Sequence, residues 1–244
     1  TKRDPGRGPL PAGAALCYGR AMSSAATEPS SCRRCGACCR NGGPALHAED
    51  RPLVEEGAIA LRDLFTVRRG EWVREPGRPG LVRLSGEIVK VKGTGGGWTC
   101  RLYVPGERAC GIYDRRPREC RLLDCRDPAP LRRAFRRGRL TRADLLAGAP
   151  HFRDLVADHE RRCDLEAAWG LLQAGDAPSA RRLEEMARYD AELRGLLVSR
   201  GGLDPGLLDF LFGRPVAMVV RLFRRRLSGG PAAAGEDAGM EGVP

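Results

Sequence analysis

The chain has 244 residues, 42 of them Lys or Arg against 31 Asp or Glu, for a net charge of +11 at neutral pH. That length supports one substantial domain or a small domain with a helical appendage, so disulfides are not needed to replace a missing core, and ten cysteines ask for another explanation. The basicity is almost all arginine, since lysine occurs only at Lys2, Lys90 and Lys92, and with 5% aromatic residues there are few platforms for base stacking, which makes nucleic acid a secondary reading for the partner.

Residues 1–28 read as a disordered N-terminal extension, rich in Gly, Pro and Arg over its first part. The apolar patch from Leu10 to Leu16 is too short for a signal core, and Leu16 replaces the small residue that a lipoprotein cleavage site wants before its cysteine, here Cys17. Cytoplasm is therefore the expected location. A cysteine-rich domain is expected over residues 29–127. Within it, Glu49-Asp50-Arg51-Pro52 predicts a helix start with Pro52 near the first position and a stop at Gly57. Leu64, Phe65 and Val67 predict one strand, and the alternation Val89-Lys90-Val91-Lys92 another. The glycine run at 93–97 opens no helix and has no following Lys-Ser/Thr, so it reads as a hairpin loop and not as a phosphate cradle.

Beyond Cys125 the pattern becomes helical, over residues 128–227. Thr141 with Asp144 makes a capping pair, and Phe152, Leu155, Val156, His159 and Cys163 share one helix face. His159 and Cys163 lie one turn apart, a spacing that suits a metal, but their place on the apolar stripe favours core residues. Leu183, Met186, Leu193 and Leu197 predict another helix, and Asp204-Pro205 starts a last apolar run that ends in Arg224-Arg225-Arg226. That run is broken by Gly213-Arg214-Pro215 and by Arg221, well short of the ~18 uninterrupted apolar residues of a spanning helix, and reads as a helix docked on the domain in preference to an interfacial membrane helix, which its arginine end would also suit. Residues 228–244 read as a disordered tail. The fold class is thus α+β: a small, cysteine-nucleated domain with short strands, followed by a helical part that covers it.

The chemistry lies in the cysteines. Cys32, Cys35, Cys38 and Cys39 crowd one short stretch, and Cys100, Cys110, Cys120 and Cys125 follow about sixty residues on. Neighbouring cysteines do not bridge without severe strain, whereas C-x-x-C puts two sulfurs on one side of a turn, as tetrahedral zinc or the irons of a cube require. Cys32, Cys35 and Cys38 repeat the C-x2-C-x2-C of bacterial ferredoxins, but the run's fourth slot is Gly42, so further ligands must come from the second group. Pro117 predicts a short helix with Cys120 near its positive end, which favours the thiolate. Arg115, Arg116, Arg118 and Arg121 either offset the charge of clustered thiolates or form a solvated basic face.

The blocks CRRCGACCR and CGIYDRRPRECR resemble the CxxCxxCC family of zinc- or iron-chelating, YkgJ-type cysteine-cluster proteins. Cys32, Cys35, Cys38, Cys39, Cys100, Cys110 and Cys120 match its cysteines, and Ile112, Tyr113, Arg116, Pro117 and Arg121 match its flanking residues. The resemblance covers residues 32 to 126 and extends distantly to the cysteine region of the flagellin lysine-N-methylase, which implies a [4Fe–4S] cluster. Metal ligands are therefore expected among those seven cysteines and Cys125. The expected cofactor is an iron–sulfur cluster of the [4Fe–4S] type, acting in redox or in a metal-dependent modification of a protein partner or substrate. The alternative is a zinc- or iron-chelating module without catalysis. No catalytic residues independent of a metal are visible.

Overall fold

The structure, a computed structural model, describes residues 32–76 and 78–229. The expectations for residues 1–28, for Cys17 and for the tail beyond residue 229 lie outside them. The first cysteine block ends in α1 (Ala37–Arg40), entered through Gly36 at φ 73°. A 3-10 turn at Ala48–Asp50 leads into α2 (Arg51–Glu55), where Pro52 occupies the first turn and Gly57, at φ 76°, follows the end, as the sequence predicts.

The strands β1 (Leu64–Val67), β2 (Trp72–Arg74), β3 (Leu81–Arg83) and β4 (Ile88–Val91) come next. β1 pairs antiparallel with β4, setting Leu64 opposite Val91 and Val67 opposite Ile88. These are the two strands the sequence predicts. β2 and β3 form a separate hairpin that it does not, because three residues each are too few for a period of two to show. The glycine run turns the chain so that Gly93 bridges to Cys100, and β5 (Tyr103–Val104) and β6 (Ala109–Cys110) form a last short hairpin.

Helices complete the molecule: α3 (Arg118–Leu122), α4 (Ala129–Ala134), α5 (Arg142–Leu145), α6 (Pro150–Arg162), α7 (Leu165–Ala174), α8 (Ala177–Ser199), α9 (Leu208–Phe212) and α10 (Val216–Leu227). The architecture is α+β, with short strands first and helices after. Thr141 and Asp144 form the expected capping box at α5, and Asp164 and Asp176 accept the first free amides of α7 and α8.

The largest apolar cluster joins both halves. Leu46, Leu53, Leu64 and Val89 of the strand region pack with Leu140, Val156, Phe210 and Phe212 of the helical region. A second cluster, with Cys163, Leu183, Met186 and Val220, lies among α7, α8 and α10. α10 buries Val216, Val219, Val220 and Phe223 and carries Arg224, Arg225 and Arg226 in its last turn, which matches the docked-helix reading. Among the described residues no helix is long and apolar enough to cross a membrane.

Buried charge also joins the halves. Arg68 makes a bidentate pair with Glu160 at 2.8 and 2.7 Å and donates to Cys163 O at 2.7 Å. Glu160 also accepts from Arg142 at 2.7 Å, and Arg142 reaches Glu87 and Leu211 O. Such forked pairs combine direction with energy and suit arginine.

Candidate metal centre

The thiols are brought together by several separate elements. The first block turns at Gly36, whose left-handed backbone is a conformation glycine adopts at little cost; a Cβ there would fall 2.5 Å from the Tyr103 hydroxyl. The turn leads Cys38 and Cys39 into α1. Cys100 N donates to Cys39 O at 2.7 Å, so the second cysteine group is tied to the first through the backbone. β6 carries Cys110 and α3 carries Cys120.

α3 is held by side chains of the preceding segment. Asp50 Oδ1 accepts the Arg118 amide at 2.8 Å, supplying from 68 residues away the cap that Pro117 has no side-chain oxygen to provide. Glu119 accepts the Ala45 amide at 2.8 Å and lies 3.4 Å from His47 Nε2, while His47 Nδ1 lies 2.8 Å from Arg137 O. Burial opposes charge on His47, but its hydrogen bonds to Glu119 and to Arg137 O, with the carboxylate's charge, prevail and raise its pKa. Tyr113 adds a second brace: the guanidinium carbons of Arg34 and Arg116 stand 4.0 and 3.9 Å from its ring centroid. Both guanidiniums lie over the one ring, so Tyr113 clamps the first cysteine loop to the second block.

Cys32, Cys35, Cys38, Cys39, Cys100, Cys110, Cys120 and Cys125, every ligand candidate read from the sequence, line a single cavity of about 590 Å³. All nine described cysteines are free thiols. Among the described residues, no group of three or more Cys, His, Asp or Glu side chains converges to hold one ion; the eight cysteines are spread over the lining of the cavity. Cys163 and His159 are elsewhere. Cys163 donates weakly to Met186 O at 3.6 Å in the helical core, and His159 Nε2 lies 2.8 Å from Asp190, as suits core residues.

Cys38 and Cys39 share a proton: the hydrogen bond from Cys39 lowers the Cys38 pKa to about 6, and the same bond, with burial, pushes Cys39 up. Burial and the neighbouring thiols raise Cys100 to about 11, and burial raises Cys110 and Cys125. Burial, then the Cys100 and Glu119 charges, push Cys120 well above the ordinary thiol value, so the depression expected from its helix does not occur; a five-residue helix offers too little dipole to offset desolvation. A soft-donor set of this size fits zinc or iron–sulfur ligation, and the members whose pKa burial raises, among them Cys100, Cys110 and Cys120, would release protons on loading.

The expected arginine shield is also redistributed. Arg115 pairs with Glu56, Arg118 with Glu49 at 2.6 Å, and Arg121 donates to Arg116 O at 2.6 Å; of the four, Arg116 alone lines the cavity. Sequence reasoning missed the cations that do line it, among them Arg33, Arg74, Arg78 and Arg132, because strand, loop and helix meet there only after folding.

Comparison with known families bears on this region. Residues 31–134 match the model of the CxxCxxCC family, a domain proposed to chelate zinc or iron. This segment is a CxxCxxCC domain. The match supports metal binding by the domain and leaves zinc and iron both open. No curated protein and no solved structure matches the chain.

Proposed function

We propose that the CxxCxxCC domain holds an iron–sulfur cluster, of the [4Fe–4S] type, through ligands drawn from Cys32, Cys35, Cys38, Cys39, Cys100, Cys110, Cys120 and Cys125. The observation that carries this reading is that eight cysteines line one cavity of about 590 Å³, far more space than a single ion bound at ~2.3 Å metal–sulfur distances asks for. The ferredoxin-like spacing of the first three cysteines points the same way. When bound, such a cluster supplies electron-transfer chemistry.

The chain's own residues do the rest. Gly36 lets the first loop turn, Tyr113 clamps that loop to the second block, and Asp50 and Glu119 fix the helix that presents Cys120. In this reading the centre acts in redox or in a metal-dependent modification of a bound substrate, the alternative being a zinc- or iron-chelating module without catalysis. Residues 29–127 form the metal-binding unit in this reading, with 128–227 as its helical cover, and a reducing cytoplasm would keep the thiols available.

Serine substitution tests the ligand set. Cys35→Ser and Cys120→Ser, purified without oxygen, are expected to lose most of their iron, while Cys163→Ser retains it. Equal iron content in all three proteins, or its loss in Cys163→Ser, would overturn the assignment.

A further inference from the structure

We propose that the cysteine cavity also binds a small anionic molecule, a phosphate or carboxylate compound, against a cationic rim beside the metal centre. The inference rests on the metal reading above only for what fills the thiol wall. Eight cationic side chains and two carboxylates, Glu75 and Glu119, line the cavity, a surplus of six positive charges before the thiols are considered. A doubly charged cube on four thiolates would remove two of these, and two zinc ions on eight thiolates would remove four. Burial lowers the pKa of Lys90, on the cavity wall, and even a neutral Lys90 leaves the lining cationic under either metal. The charge exceeds what the metal needs.

The surplus is placed where a ligand would enter. Arg33 on the first cysteine loop, Arg108 in the β5–β6 turn and Arg132 on α4 all line the cavity and are exposed, so they form its rim. Their side chains make no ion pair or hydrogen bond among the described residues, whereas many other arginines here are paired with carboxylates. Arg108 holds a left-handed backbone, φ 49°, uncommon for a side chain of its size. Three guanidiniums from three elements around one concavity focus positive potential into it, and guanidinium geometry matches phosphate and carboxylate oxygens. The cavity of about 590 Å³ is shared between the metal and the ligand, so the site suits a small anion at its rim.

Calorimetric titration of the full chain, purified with its metal, tests this using inorganic phosphate and succinate as probes and glycerol as an uncharged control. At least one anion is expected to bind and glycerol is not; the tighter of the two anions identifies the headgroup. The double variant R108Q/R132Q is expected to weaken binding at least tenfold with metal content unchanged, whereas R153Q/R181Q, the same loss of charge on α6 and α8 away from the cavity, leaves it as it was. Binding of neither anion, or equal weakening in both variants, overturns the proposal. Arginine-dependent binding to protein that carries no metal supports the anion site while refuting the metal reading. A metal-loaded protein that ignores both anions does the reverse.

Discussion

Gly36 shows how much of the site depends on single residues. Its positive φ costs other residues roughly 1–2 kcal/mol, and a Cβ would press on the Tyr103 hydroxyl. Gly36→Ala is therefore expected to displace the loop that carries Cys32 and Cys35 and to lower metal content, measured by elemental analysis; full loading would show that the loop tolerates the change. Tyr113 acts through its ring faces, not its hydroxyl. Tyr113→Leu should lose two cation–π contacts, about 1–2 kcal/mol in urea unfolding, while Tyr113→Phe stays near wild type. Equal losses in both would assign the effect to the hydroxyl. The cysteines were legible in the sequence because short spacings confine their sulfurs whatever the rest of the fold does. The rim was not: Arg33 sits in the motif, but Arg108 and Arg132 gain meaning only when a hairpin turn and a helix meet at one cavity.

Among the elements, α3 and α6 bear the most on how the halves are joined. α6 contributes Glu160, whose pKa is about 2: burial opposes its charge, but hydrogen bonds and charge from Arg68, then Arg142, outweigh that. A carboxylate whose pKa is depressed on folding adds stability that is present above its unfolded pKa, near 4.3, and is lost as pH falls toward 2; the shift corresponds to about 3 kcal/mol. Glu160→Gln should thus destabilise the protein at neutral pH by on the order of 3 kcal/mol, since it leaves Arg68 buried without its charge partner, and the difference from wild type should shrink below pH 4. A pH-independent difference would remove the pair from the account. His47, held by Glu119, has the opposite sign. Its raised pKa gives stability that is present below the unfolded value near 6.5 and is lost as pH rises through the folded one. Local signals located α2, β1, β4 and the cap of α5, whereas the cap of α3 was hidden, because Asp50 supplies it from across the fold.

At the scale of the molecule, one apolar core links the cysteine-bearing half to the helical half, so loading of the metal centre should be felt in both. Sequence periodicity predicted which helix faces are buried but not that Phe210 and Phe212 of α9 would pack with the strand region, a pairing between segments more than a hundred residues apart. The raised thiol pKa values add a pH dependence: with Cys100, Cys110 and Cys120 as ligands, as proposed, metal uptake would release their protons, so affinity should fall as pH is lowered. The central claim is that the eight-thiol cavity is an iron–sulfur centre. Its most direct test is the iron, zinc and acid-labile sulfide content of the full chain purified without oxygen. Iron and sulfide in equal amounts, in a brown protein, is the predicted result; zinc without iron or sulfide, or no metal at all, would contradict it.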